Sequence, residues 1–275
     1  MSAALALLLG TTLLGVDPCA GAPDLASAAE AIDRGEVARA DYLSSLALAM
    51  SPDCPEALVI QGRILTLKGR LREGREALEK AVRLAPNNAE ARYQLGIWLY
   101  RRLLYAEAVP QLEKVVALRP ADARAHDYLA LNLEGLGEAE RAEAAYRNAL
   151  KVNAGSSPDP FFDYYYGRFL LKRSRLEESR AHLDRAVALH PDERAVHYER
   201  GKLNLALKEY AAARRDAERA LNLRDPAGLV LDLQVYYLLA NVYARLGETE
   251  LARKYAELSR TTPIEERSVH ERRIP

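Results

Sequence analysis

The chain has little of what several functional classes require. Its two cysteines, Cys19 and Cys54, are too few for a zinc ligand set or a disulfide-dense scaffold and allow at most one bridge. Its 39 basic and 39 acidic residues leave no net charge, so the broad attraction for phosphate backbones that drives non-specific nucleic-acid binding is missing. Strand-forming residues are sparse and Ala, Leu, Arg and Glu dominate, which favours helices.

Motifs that carry chemistry are also missing. The sequence contains no glycine-rich phosphate loop, no nucleophile elbow and no HExxH motif. The histidines have no paired spacing with carboxylates or cysteines that would predict a metal site, and each is interpreted as a surface or interface residue: His126, His182, His190, His197 and His270. We therefore predict no enzyme, no metal and no cofactor.

What the sequence does contain is a repeat of 34 residues. Pro52, Pro86 and Pro120 lie 34 residues apart, and each follows an apolar run typical of a helix that the proline ends. Small residues keep the same spacing in most units, with two longer gaps, at Ala28, Gly62, Gly96, Ala130, Gly167, Gly201 and Ala240. Each of these residues is followed, twelve residues later, by a second small residue. Paired small residues predict two closely packed helices.

Glycines stand between the two helices of several units, at Gly35, Gly69, Gly137 and Gly247. The left-handed conformation that ends a helix costs glycine least, so these residues predict short turns. Each unit is therefore predicted to run helix, turn, helix, turn.

The pattern resembles the tetratricopeptide repeat family, in its bacterial type. One unit carries Leu95, Gly96, Ala108, Leu112 and Pro120 at the intervals of that family. The resemblance implies an all-α, right-handed superhelical solenoid of about seven helical hairpins that binds other proteins. Two departures are Ser44, where a large apolar residue is expected, and the alanines at the same place in the last two units.

The repeat also predicts the domain boundaries. The solenoid covers 21–262, preceded by 1–20 and followed by a frayed tail at 263–275. The units lie near 21–54, 55–88, 89–122, 123–156, 160–193, 194–227 and 233–262. Extra residues fall in AGSSPDP and RDPAGLVLD, both between units, and are either harmless loop growth or loops shaped for a partner.

By the resemblance, the first helices line a concave groove. Three residues before the packing glycine, four of six units carry tyrosine, and basic residues lie one position or one turn beyond that glycine. Tyr and Arg are enriched at binding hot spots. The candidate partner-binding residues are Arg63, Tyr93, Tyr100, Arg101, Phe161, Tyr164, Arg168, Lys172, Tyr198, Lys202, Tyr237, Asn241 and Arg245.

This groove predicts a monomeric adaptor that binds a peptide or helix of acidic character. The aromatic run FFDYYYGRF places Phe161, Tyr164 and Arg168 on one stripe, the best candidate hot spot. The alternative is that the tyrosines only pack against neighbouring helices. Two other functions stay open: an RNA-binding helical-repeat protein, which neutral charge disfavours, and an envelope assembly factor that acts through its convex face.

Residues 1–16 are uncharged and apolar, and their length suits a signal-peptide core better than a membrane span. Ala20 to Ala22 could form a cleavage site, which predicts export, with a cytoplasmic location as the alternative. The competing interpretation is that Pro18, 34 residues before Pro52, ends the helix of an additional capping unit. If the segment is retained, Cys19 and Cys54 could approach each other, and a disulfide would indicate an oxidising compartment.

Overall fold

The computed structural model describes residues 19, 25–153, 161–225 and 228–262. In this part of the chain there are fourteen α-helices and no strand, as the sequence predicts. None of these helices is long and apolar enough to cross a membrane. The segment interpreted as a signal peptide or cap, the loop AGSSPDP and the C-terminal tail lie outside the described residues, apart from Cys19.

Each predicted unit contains two helices of similar length. The helices are α1 (Leu25–Asp33), α2 (Val37–Met50), α3 (Pro55–Leu67), α4 (Leu71–Leu84), α5 (Ala89–Arg101), α6 (Tyr105–Leu118), α7 (Ala123–Gly135), α8 (Ala139–Asn153), α9 (Phe161–Lys172), α10 (Leu176–Leu189), α11 (Arg194–Ala206), α12 (Tyr210–Asn222), α13 (Asp232–Leu246) and α14 (Thr249–Thr261). Odd-numbered helices are the first helices of their units and even-numbered helices the second.

The chain divides into two compact units, Met1–Ala91 and Arg92–Pro275. The first contains α1 to α4, and the second contains α6 to α14 together with most of α5.

In the first compact unit, a disulfide joins Cys19 to Cys54, with 4.7 Å between the Cα atoms. Cys54 is buried at the N-terminus of α3, where its sulfur accepts a hydrogen bond from the Ala57 amide. Glu56 lies beside the two sulfur atoms, all three ligand atoms falling within 4.8 Å of one another. Because both sulfurs are in the disulfide, neither is a thiolate that could bind a metal.

Close packing inside the hairpins confirms the role predicted for the small residues. A Cβ atom on Gly62, Gly96 or Gly167 would lie 2.6 to 2.8 Å from the Cγ of the leucine sixteen residues later, on the second helix of the same hairpin. Since that separation is far inside van der Waals contact, only glycine lets the leucine reach the first helix.

A second link between the two helices is polar and was not predicted. In three hairpins a side chain near the start of the first helix bonds one nineteen residues later: Arg92 with Gln111 at 2.6 Å, Asp163 with His182 at 2.6 Å and His197 with Asp216 at 3.1 Å. His126 and His197 are buried and bond carbonyl oxygens of the preceding loops, so of the two interpretations offered for the histidines these two are not surface residues.

The insertion RDPAGLVLD is partly described. Asp225 accepts a hydrogen bond from the Val230 amide at 2.6 Å, and the Val230 side chain is buried in the core of the second compact unit. The described part of this loop therefore contributes to packing.

The turn between first and second helix has one backbone requirement in all seven hairpins. Gly35, Gly69, Gly137 and Gly247 have φ near +75 to +79°, as predicted. At the same place in the other hairpins, Leu103, Ser174 and Lys208 have φ of 60, 58 and 65°. The left-handed conformation is unfavourable for residues with a side chain, so three turns carry a local cost of about 1 kcal/mol or more each.

Leu103→Gly should therefore stabilise the chain. The Leu103 side chain is 69% exposed, so its removal loses little packing, and we expect a gain of about 0.5 to 1 kcal/mol after the greater flexibility of glycine in the unfolded chain is subtracted. The matched change Gly137→Ala should destabilise by about 1 kcal/mol. Urea unfolding followed by circular dichroism measures both, and a Leu103→Gly variant with an unchanged or lower midpoint would contradict the argument.

Candidate binding surface

The tyrosines predicted to line the groove differ in exposure along the second compact unit. Tyr93 and Tyr164 are buried, Tyr198 is half-buried, and Tyr237 is 65% exposed. These four residues hold the same place on α5, α9, α11 and α13, so their surroundings set the difference.

Neighbouring aromatic rings bury the first of these tyrosines. Tyr128 on α7 makes edge-to-face contacts with both Tyr93 and Tyr100, at centroid distances of 5.7 and 5.6 Å. The Tyr105 ring lies tilted beside Tyr100 at a centroid distance of 6.2 Å and passes over α7 at Gly135, where a side chain would collide with it. Burial raises the pKa of Tyr100 to about 12. Tyr93 and Tyr100 are therefore packing residues of this aromatic cluster.

The predicted hot spot is brought together, but its centre is not accessible. Phe161 and Tyr164 are in edge-to-face contact at 6.1 Å, and the Arg168 guanidinium lies 5.8 Å from the Tyr164 ring and 5.4 Å from the Tyr165 ring. Tyr164 is only 3% exposed. The prediction that Tyr164 contacts a partner directly is therefore corrected, because its ring packs between its aromatic neighbours. Phe161, Tyr165 and Arg168 form the partly exposed surface around it.

Acidic residues neutralise the basic positions of this surface. Glu134 on α7 lies 3.6 Å from the Arg168 guanidinium and 2.5 Å from the Lys172 ammonium. Burial alone would raise the pKa of Glu134, but the charges of Arg168 and Lys172 outweigh it and hold that pKa below its ordinary value. Glu134 is therefore ionised at neutral pH, and it offsets the positive charge that suggested an acidic partner.

The same pairing recurs at other predicted positions. Lys202 lies 2.7 Å from Glu199 and its ammonium is 5.2 Å from the Tyr198 ring. In the first compact unit, Arg63 bonds Asp33 at 2.7 Å. Glu134 and Glu199 were not predicted as partners, because the sequence of a charge-rich helix does not show which face a given glutamate occupies.

The open end of the surface lies on α13. Tyr237 and Arg245 are exposed and Asn241 lies half-buried between them, its amide donating to the Tyr237 carbonyl at 2.8 Å. Among the described residues, no hydrogen bond or ion pair engages the Arg245 side chain. Arg101, at the end of α5, is half-buried with part of its guanidinium enclosed. We call α11 and α13 residues Tyr198, Lys202, Tyr237, Asn241 and Arg245 the open face.

Comparison with known proteins agrees with the repeat. One model of the tetratricopeptide repeat matches residues 24–89, 68–123, 93–158, 128–193 and 167–228, and a second matches 233–259. The chain belongs to the tetratricopeptide repeat family. Its fold class is thereby confirmed as an all-α repeat solenoid, and scaffolds for protein interaction are what this family generally provides.

Three similar proteins show how far the likeness extends. The type IV pilus assembly protein PilF of Pseudomonas aeruginosa is 29% identical over 172 residues, which are 62% of this chain and 65% of that protein. The BBSome complex member BBS4 of Bos taurus is 24% identical over 72% of this chain and 37% of its own. The crystal structure of PilW, a type IV pilus biogenesis factor, is 16% identical with a TM-score of 0.67 over 78% of this chain and 97% of that one. The chain thus spans about a third of the length of BBS4 and about two thirds of the length of PilF.

Replacing tyrosines separates packing from binding. Tyr164→Ala should cost about 3 to 5 kcal/mol of unfolding free energy, because it empties a buried aromatic site. Tyr237→Ala, at the same place on α13, should change stability by no more than about 0.5 kcal/mol because its ring is exposed. Chemical denaturation of the two variants checks this, and equal losses would show that Tyr237 is a packing residue as well.

Proposed function

We propose that this repeat protein is an adaptor that holds a peptide or helix of a partner protein along its open face. The observation that carries the proposal is the exposure of Tyr237 and Arg245 on α13, a helix that contacts α11, which carries the half-buried Tyr198 and Lys202. An exposed tyrosine beside an arginine offers a broad apolar surface and a planar set of donors, and both types are enriched where binding energy concentrates.

The chemistry of the open face favours a partner with apolar side chains and hydrogen-bond acceptors. Lys202 is already neutralised by Glu199, so Arg245 and the Asn241 amide are the donors that remain for a backbone carbonyl or a single carboxylate. A highly acidic peptide would gain little here, because Glu134 and Glu199 offset the neighbouring positive charges. We propose a segment of mixed composition with one acidic group facing Arg245.

A triple variant, Tyr198→Ala, Tyr237→Ala, Arg245→Ala, tests this function. In affinity purification with cross-linking from the native host, we expect loss of at least about 90% of the captured partner, since each hot-spot truncation costs on the order of 2 kcal/mol. Tyr42→Ala, which removes a tyrosine 67% exposed on α2, serves as the matched control. Full capture by the triple variant, with its helix content intact, would place binding on another surface.

Envelope assembly is the process we propose for this adaptor. The proposal rests on three observations: the sequence similarity to a type IV pilus assembly protein, the apolar first sixteen residues of the sequence and the disulfide between Cys19 and Cys54. Disulfides persist in exported proteins and are rare in reducing compartments. Cleavage after Ala22 would remove Cys19, so any processing compatible with this disulfide occurs before residue 19.

Thiol labelling of the protein in its host checks the compartment. If the chain is exported and keeps Cys19, an alkylating reagent added under denaturing conditions should label no cysteine until a reductant is present. Mass spectrometry of the N-terminal peptide then identifies the start of the mature chain. A Cys54→Ser variant is the control, since it should expose Cys19 to the reagent. Quantitative labelling of the unreduced wild-type protein would point to a reducing compartment.

A further inference from the structure

One hairpin departs from four of the others at two buried positions and one half-buried position. In the hairpin of α11 and α12 these positions hold Arg200, Asn204 and Ala217. At the Asn204 position four other hairpins place buried leucines: Leu65, Leu99, Leu133 and Leu170. At the Ala217 position they place Leu78, Leu112, Tyr146 and Leu183, all buried. The hairpin of α11 and α12 thus has polar side chains in the place of apolar ones, and we call it the polar hairpin.

A cavity of about 560 Å³ is lined by residues of α10, α11 and α12, Asn204 among them. Asp216 of α12 lines this cavity and accepts four hydrogen bonds from side chains of α11: two from the Arg200 guanidinium at 2.7 and 2.9 Å, one from Asn204 at 2.9 Å and one from His197 at 3.1 Å. Burial would raise the pKa of Asp216, but these bonds outweigh it and keep that pKa below its ordinary value. Asp216 and its donors therefore form a fixed, charged network, and the Asp216 carboxylate has no spare acceptor.

The walls carry more positive than negative groups. Besides Arg200, the cavity is lined by Arg180, Arg215 and Arg219, against the acids Asp184, Glu209 and Asp216. Each of these acids already bonds an arginine of the same cavity: Asp184 and Asp216 bond Arg200, and Glu209 bonds Arg180. The excess charge therefore lies on α12.

Two arginines of α12 are available to a ligand, since one has no partner among the described residues and the other has exposed partners. No ion pair or hydrogen bond within the described chain involves the exposed Arg215 side chain. Arg219 pairs with Asp192, which is 84% exposed and therefore holds it weakly. On the opposite wall, Arg180 bonds Glu209 through its terminal nitrogens, and its buried Nε makes no hydrogen bond, with only the exposed Glu177 nearby at 3.6 Å.

We propose that this cavity binds a compact anion, a carboxylate or a phosphate group, between Arg215 and Arg219 of α12 and Arg180 of α10. Guanidinium groups on two facing helices suit the planar or tetrahedral oxygens of such anions. The site lies on the second helices and does not depend on the adaptor function proposed for the open face.

Titration of the isotope-labelled full chain with inorganic phosphate and, separately, with succinate tests the proposal. Sodium chloride keeps the ionic strength constant, and the arginine Nε–H signals are followed by NMR. We expect saturable shifts of the Arg215 and Arg219 signals with at least one of the two anions. Saturation with phosphate alone identifies a phosphate ligand, saturation with succinate alone a carboxylate ligand, and saturation with both a site for the shared chemistry.

Two variants make the result specific. Arg215→Gln with Arg219→Gln should weaken the apparent affinity at least about tenfold, since a charge-assisted bond contributes more than 1.4 kcal/mol. Arg185→Gln, which alters the residue at the Arg219 position of the preceding hairpin, should leave affinity unchanged. Shifts that do not saturate, or that persist at wild-type affinity in the double variant, would overturn the proposal.

Discussion

The close approach of two helices inside each hairpin is the constraint on which this structure depends. Where glycine faces leucine, as at Gly96 and Leu112, the leucine side chain occupies the space that a Cβ atom would fill. Burying a leucine in this way contributes about 1.5 to 3 kcal/mol, and the contact recurs from hairpin to hairpin. Short helices that are marginal alone become stable when they pack in pairs in this way, and the glycine–leucine contact is present in three of the described hairpins.

This constraint explains why the fold could be predicted and much of the surface could not. Prolines, small residues and glycines have a fixed place in the repeat because backbone geometry permits few alternatives there, so hairpin number and turn positions followed from spacing. The left-handed turns at Leu103, Ser174 and Lys208 carry no glycine and were invisible to the same argument, although their place in the repeat identifies them once the other turns are known. Here the tertiary contacts override the local preference.

The position of the candidate surface could be predicted, but the exposure of its side chains to a partner could not. Whether a tyrosine three residues before the packing glycine is covered depends on the side chains that surround it, which its place in the repeat does not reveal. Tyr128 covers Tyr93, whereas Tyr237 stays open. Charge behaves similarly, because Glu134 cancels Arg168 and Lys172 across two helices separated by more than thirty residues in sequence. Counting basic residues along one stripe therefore overestimated the attraction for an acidic partner.

The polar hairpin of α11 and α12 poses the opposite question, since nothing in the stability of the array calls for it. A buried carboxylate that accepts four hydrogen bonds is tolerated, but replacing such a network by apolar side chains of similar size is often neutral or stabilising. Leucine already serves at the Asn204 position in four other hairpins. Ala217 does have a structural counterpart, because Leu238 of α13 approaches Gly201 in its place. Arg200, Asn204 and Asp216 have none, and the anion site that we propose, whose lining they share, is a role that would account for them.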